Sequence, residues 1–207
     1  MKKLIIFPFN GNGIEAIDCL DNDYELIAFA DDTKEKQGIS EFGIPVYGRE
    51  VIEKYPEAYV LAVPGSPSTY KGRKATIQSL NVPESRFGKV MHPAARIAKY
   101  SSIGFNCLIT AGVVINTKVT VGNHICILPN SVIHHDSEIG DYSLIGSLVV
   151  IAGHTYIGEN CYVGSGTSVI NGIQIGAGTL VGMGSNVIQS VPVNVKIAGN
   201  PARILKN

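Results

Sequence analysis

The chain has 207 residues, 17 basic and 17 acidic, and no formal net charge at pH 7. That balance excludes the basic excess of a general nucleic-acid or acidic-membrane binder, and 45% hydrophobic against 16% charged residues excludes a disordered chain. No apolar run approaches the roughly 20 residues that insert across a bilayer. Four cysteines without CxxC spacing exclude a disulfide scaffold and make a cytoplasmic location the expectation.

The first residues are basic and then apolar, but Pro8, Asn10 and Gly11 cut the apolar stretch too short for a signal peptide. Residues 4–7 read as a short buried strand. Gly11, Asn12, Gly13 and Ala16 then fit G-x-G-x-x-A, opening a helical stretch over 14–20. Residues 24–29 read as a second strand that ends at Asp31 and Asp32, about 20 residues past the glycines. Residues 59–63 read as a third, closed by Pro64-Gly65-Ser66, and 70–80 as helix. This alternation predicts a small parallel sheet. The glycine turn would hold a phosphate and the acidic pair would lie near a ribose or base, so Gly11, Asn12, Gly13, Asp31 and Asp32 are the candidate substrate-binding residues. A tight βα turn with no ligand is the competing explanation. Fewer than 90 residues are too few for a whole dinucleotide site, which favours a mononucleotide or sugar nucleotide.

From Ile103 to Pro192 the chain divides into 15 hexads without an insertion, and the register runs back to Met91. Every first position is Ile or Val, every fifth is small or β-branched, and eight second positions are Gly. A period of six matches neither a helix face nor a simple strand. It fits a three-sided prism of short strands, because Ile-Gly or Val-Gly pairs recur every 18 residues at 103, 121, 139, 157 and 175. Residues i and i+18 then stack about 4.8 Å apart. Glycine is expected to permit the turn dihedrals. Cys107 and Cys161 fall three coils apart, too far for a disulfide, and read as packing residues.

Chemistry concentrates in hexads 133–138 and 151–156. Asp136 and His154 are 18 apart and share a corner, with His135 beside them. An imidazole oriented by a carboxylate can accept a proton near neutrality. Metal ligation by His134, His135, Asp136 and His154 is the rival reading, disfavoured because adjacent strand side chains diverge.

Nearly the whole chain resembles sugar acetyltransferases of the sialic-acid O-acetyltransferase type. The matching stretches are 11–16, 28–32, 43–48, 91–95, 131–136 with 139–141, and 199–203. The resemblance implies a small Rossmann-like α/β domain (1–88) followed by an all-β left-handed parallel β-helix (89–207). It also implies acetyl-CoA as co-substrate with no metal, and a homotrimer with acetyl-CoA between subunits. His135 would be the general base, Asp136 its orienting acid, Gly153 the oxyanion N–H, with His154 beside the acetyl-CoA site. Two departures stand out: Leu144 occupies the place of a second family His, and Gly11-Asn12-Gly13 replaces a common Gly-His-Gly.

The expected activity is N-acetylation of a nucleotide-linked 4-amino sugar in surface-glycan biosynthesis, without nucleic acid or membrane insertion. Its rivals are O-acetylation of sialic acid or another glycan, a catalytically silent β-helix acting as binding or scaffold protein, and a metal enzyme like the γ-carbonic anhydrases. A Cβ at Gly11 or Gly13 is expected to obstruct the sugar nucleotide.

Overall fold

The computed structural model describes residues 1–205. Its first sheet contains β1 (Lys2–Phe7), β2 (Tyr24–Ala30), β3 (Gly38–Ile39), β4 (Pro45–Tyr47) and β5 (Tyr59–Ala62) in the order β3-β4-β2-β1-β5. Strands β4, β2, β1 and β5 run parallel, as the alternation predicts; the two-residue β3 adds an antiparallel edge. The helices are shorter than expected. Helix α1 (Gly11–Glu15) gives way to a 3-10 turn at Ile17–Cys19, α2 (Glu50–Lys54) was not foreseen, and a 3-10 turn at Tyr70–Gly72 leads into α3 (Arg73–Gln78). Among the described residues no helix is long and apolar enough to cross a membrane.

Alternation along β1 divides its side chains between two cores. Ile5 and Phe7 pack with Val51, Ile52 and Ile77 of α2 and α3, whereas Leu4 and Ile6 face the repeat.

The repeat winds into a triangular parallel β-helix of two-residue strands. Partners such as Val114 and Val132, Thr120 and Glu138, and Cys126 and Leu144 are 18 residues apart, the predicted coil period. First-position residues, from Ile109 through Val187, stack in one buried column with Cys107 and Cys161. The three faces hold eight, six and five strands. The eight-stranded face runs from Val90–Met91 through Leu108–Ile109, Cys126–Ile127 and Leu144–Ile145 to Ala202–Ile204. It is the docked face: Leu108, Cys126 and Leu144 share a core cluster with Leu4, Ile6, Phe29 and Leu61. The sixth hexad position points outward and differs from face to face: it is Leu108, Cys126 and Leu144 on the docked face, Val114, Val132 and Val150 on the six-stranded face, and Thr120, Glu138, Tyr156 and Gln174 on the five-stranded one.

Glycine supplies the turn dihedral at the fourth positions Gly112, Gly166, Gly172, Gly178 and Gly184, as expected, but the second-position glycines do not. The left-handed residue of each turn is the fourth position, held by Asn106, Lys118, His124, Asn130, Asp136, Tyr142, Leu148, His154 and Asn160 as well as by glycine. Second-position glycines serve close stacking instead. A Cβ on Gly140 would come within 2.6 Å of the Glu159 nitrogen in the next coil.

At the corner between the five-stranded and docked faces, His124 is buried with its ring stacked on Tyr142 and edge-on to Phe87 and Phe105. Burial, and then the neighbouring Arg73 charge, push its pKa from 6.5 down to about 4, with Asp141 pulling weakly upward. The unfolded chain therefore binds this proton at a higher pH than the folded one. Stability should be unaffected by it above pH 6.5, fall as pH drops from 6.5 to 4, and level off below. The contribution is on the order of 3 kcal/mol. Urea midpoints across that window should fall less steeply for His124→Asn, since Asn tolerates the left-handed φ of +59°. An unchanged slope would assign the acid sensitivity to other groups.

Candidate active site

The corner opposite the docked face, between the six- and five-stranded faces, carries the histidines. Val132–Ile133 and Glu138–Ile139 are the strands on either side. His135 and Asp136 form the third and fourth positions of the intervening turn. The Asp136 φ of +56° turns its carboxylate back toward the preceding ring. His135 Nδ1 lies 2.8 Å from Asp136 Oδ2. The hydrogen bond from His135, then the charges of Lys118 and His154, hold the Asp136 carboxyl below its usual range. An ionised carboxylate accepts from Nδ1–H, which leaves Nε2 free to accept a proton.

Gly153 lies beneath the imidazole. A Cβ there would sit 2.9 Å from His135 Cε1 and Nε2, so no other residue leaves the ring its place. Several third-position N–H groups donate to a side chain one coil on, as Asn123 does to Asp141 and Ser147 to Ser165. Among the described residues the Gly153 N–H has no such acceptor and is available beside Nε2. His154 stands one coil above Asp136, its N–H bonded to the His135 carbonyl at 3.1 Å and its ring edge-on to His135 at 5.2 Å.

His135, Asp136 and His154 offer donor atoms within 4.8 Å of one another, the spacing that made a metal the rival reading. Two details fit a hydrogen-bonded base better than a ligand set. Asp136 Oδ2 already accepts from His135, and Lys118 Nζ lies 3.8 Å from Oδ1, so the carboxylate's charge is already partly met by protein groups. His134 belongs to the backbone ladder through its N–H to the Ile151 carbonyl.

The other candidates lie across the prism. A cavity of about 310 Å³ is bounded by Asn10, Gly11 and Asn12, by Gly65 to Pro67, and by Leu128, Leu144, Gly146 and Tyr162 of the docked face. Leu144 thus forms the apolar wall facing the glycine turn. Asn12 Nδ2 donates to the carbonyls of Val63 at 3.2 Å and Gly65 at 3.5 Å, bracing that turn against the loop after β5. A second cavity of about 370 Å³, at the C-terminal ends of β1, β2 and β5, includes Asp31, Asp32, Lys36, Ser66 and Thr69. There the acidic pair is already engaged. Asp32 makes a two-point ion pair with Arg49 at 2.6 and 2.7 Å, while Asp31 accepts from the Thr33 N–H and from Lys36. Lys36, Arg49 and the hydroxyls of Ser66 and Thr69 were not singled out in the sequence. Only their position after parallel strands marks them.

The two glycines of the turn separate on steric grounds. A Cβ on Gly13 would collide with the Pro8 carbonyl oxygen, whereas one on Gly11 meets nothing within 4 Å. Gly13 is therefore required by the turn itself, so a substitution there strains the architecture whether or not a ligand lies beside it. Gly13→Ala should cost about 1–3 kcal/mol in a urea melt because backbone must move, and Gly11→Ala less than about 0.5 kcal/mol. Equal losses would place Gly11 in the architecture as well.

The fold and this corner define a class: a hexapeptide-repeat β-helix joined to a small α/β sheet, with a carboxylate-oriented histidine at the outer corner. The family model for bacterial transferase hexapeptide (six repeats) matches residues 118–153, which include His135, Asp136 and Gly153. Among solved structures, a variant of the perosamine N-acetyltransferase from Caulobacter crescentus in complex with CoA and GDP-perosamine superposes at TM-score 0.85 and 23% identity, over 100% of this chain and 98% of that one. The acetyltransferase domain of PglB from Neisseria gonorrhoeae with acetyl coenzyme A also reaches 0.85, at 21% identity and 99% of both chains. WeeI from Acinetobacter baumannii AYE reaches 0.83 at 24% identity, over 99% of this chain and 100% of that one. These likenesses establish the fold. A search of curated proteins found no match to the chain.

Proposed function

We propose that this protein transfers the acetyl group of acetyl-CoA to the amine of a nucleotide-linked amino sugar. The observation that carries the reading is the His135–Asp136 pair at 2.8 Å, set over a glycine whose N–H is free. Support comes from neighbours of the same fold, whose structures contain CoA with GDP-perosamine, or acetyl coenzyme A. Residues 1–88 would hold most of the acceptor and 89–207 the donor. The coil is left-handed in this reading, as the resemblance implies, and the enzyme works in the cytoplasm. Within the broader sugar acetyltransferases, N-acetylation is preferred to the O-acetylation of the sialic-acid type, because the perosamine enzyme of the same fold is an N-acetyltransferase.

The chemistry needs no covalent enzyme intermediate. The neutral amine attacks the thioester carbonyl as His135 Nε2 removes its proton, and the charge developing on the carbonyl oxygen is met by the Gly153 N–H. The tetrahedral species collapses with cleavage of the carbon–sulfur bond, and the imidazolium returns its proton to the departing thiolate. Asp136 holds the ring and balances its charge, with His154 beside the acetyl group.

The active unit is a trimer with its sites between subunits. In one chain the prism separates the His135 corner from the cavity at Gly11 and Asn12, which includes neither His135, Asp136, Gly153 nor His154. A base on one subunit would therefore serve an acceptor bound to its neighbour.

The test is a screen of UDP-, GDP- and dTDP-linked amino sugars with acetyl-CoA, following thiol release and melting temperature. One nucleotide series should raise the melting temperature and release CoA thiol in proportion to acetylated amine. Transfer only to hydroxyl acceptors would convert the reading to O-acetylation. Absence of both acetyl-CoA binding and thiol release would leave the silent scaffold.

A further inference from the structure

The corner between the five-stranded and docked faces is a docking ladder. Its fourth-position residues are Asn106, His124, Tyr142, Asn160 and Gly178, one per coil, and each meets the segment 62–74 of the first sheet's side. Asn106 exchanges two hydrogen bonds with Ala62, at 2.7 and 2.9 Å. Arg73 Nη2 donates to the His124 carbonyl at 2.8 Å. Lys74 lies over the Tyr142 ring, Asn160 Nδ2 donates to the Lys71 carbonyl, and Tyr70 donates to the Gly178 carbonyl at 2.9 Å.

Arg73 is the unusual rung. Its guanidinium is 1% exposed and, among the described residues, forms no ion pair. It donates to the Pro64 and His124 carbonyls, lies 3.5 Å from the Cys126 sulfur, and leaves Nε without a partner. An unpaired buried cation is expensive, and hydrophobic side chains of similar volume often stabilise a core more. Packing alone therefore does not account for it. Its two acceptors lie on different bodies, the β-helix corner and the loop after β5, so the guanidinium fixes one against the other.

That loop is common to both cavities. Pro64, Gly65 and Ser66 line the one at the strand ends, and Gly65, Ser66 and Pro67 line the one above Leu144. Gly65, at φ +123°, presses against Leu144, and a Cβ there would lie 2.8 Å from Leu144 Cδ1 and 3.6 Å from Arg73 Cδ. The loop is gripped from below by Arg73 and from the side by Asn12.

We propose that Arg73 is a positioning residue for the acceptor: by clamping the Pro64 carbonyl to the His124 corner, it sets the 64–67 loop at the height the sugar nucleotide requires. This rests on the acceptor-site reading above and assigns Arg73 no contact with either substrate. Small displacements of a positioned group are amplified in turnover.

The test compares Arg73→Met, Arg73→Lys and Gly65→Ala with wild type, in the trimeric protein. Arg73→Met should raise acceptor KM about tenfold or more and leave the acetyl-CoA dissociation constant within about twofold. Arg73→Lys, which keeps the cation but loses the fork, should fall between. Gly65→Ala displaces the loop from its other side and should reproduce the acceptor effect, which covers the case of an unfolded Arg73→Met. Amide exchange at 64–69 should quicken in both Arg73 variants while the β-helix amides hold. If acetyl-CoA dissociation constant and acceptor KM rise together, or acceptor KM stays at the wild-type value in folded variants, Arg73 is a fold residue only. Failure of wild type to bind acetyl-CoA would instead overturn the acetyltransfer reading.

Discussion

Changing His135 to Ala should lower kcat by about 10² to 10⁴, the usual worth of a general base, while the melting temperature stays near that of wild type. The structural reason is its place in the hexad. His135 occupies a third position with its side chain about half exposed, outside the stacked column to which Ile133, two residues earlier, belongs. Asp136→Asn tests the same pair from the other side. An amide can still accept from Nδ1–H through its oxygen, but its NH2 can instead donate to an unprotonated Nδ1, which would put the proton on Nε2 and silence the base. That variant should lose most of the activity without losing acetyl-CoA affinity. A His135→Ala protein with more than half of wild-type kcat would remove His135 from the base role.

Mixing two crippled subunits should restore activity. A His135→Ala chain lacks the base, and a Gly11→Val chain, with open space around that position, puts side-chain bulk at the 310 Å³ cavity that Gly11 lines. If base and turn at each site come from neighbouring subunits, co-assembled heterotrimers contain interfaces in which both are intact. Activity at low acceptor concentration should then exceed that of either homotrimer several-fold, by the logic of a shared interface site. A base and turn acting within one chain would give no more than the average of the parents. Light scattering on the same samples should find activity only in trimers, and a fully active monomer would overturn the interface assignment.

The β-helix could be read from the sequence because its energetics are local and repeated. Each first-position Ile or Val faces a copy of itself 18 residues away, so one column of stacked side chains decides period, number of sides and register together. The same arithmetic put Asp136 and His154 on one corner and Cys107 and Cys161 in the interior. The glycines are only half legible, since a composition rich in glycine does not distinguish a left-handed dihedral at the fourth position from close stacking at the second.

The sheet at the start was legible only in outline. Strands 4–7 and 59–63 carry continuous apolar runs and 24–29 one broken only by Glu25, but α1 to α3 are five or six residues long and leave no periodic signature. The sixth position does not reveal their packing either: it is apolar at Leu108, Cys126 and Leu144 on the docked face, but equally at Val114, Val132 and Val150 on the six-stranded face, which the sheet does not cover.

By itself, then, the sequence determined the prism, its register and the pairing of His135 with Asp136, because each follows from neighbours at short or strictly repeated separations. Only the tertiary structure decided how the two parts meet. Arg73 and His124, or Asn106 and Ala62, are bound across separations that no repeat governs, through backbone carbonyls whose positions exist only after folding. The same holds for the acidic pair. The sequence placed Asp31 and Asp32 near a ribose or base, whereas folding brings Lys36 and Arg49 to their carboxylates because a charge at a strand end takes the nearest partner the topology supplies.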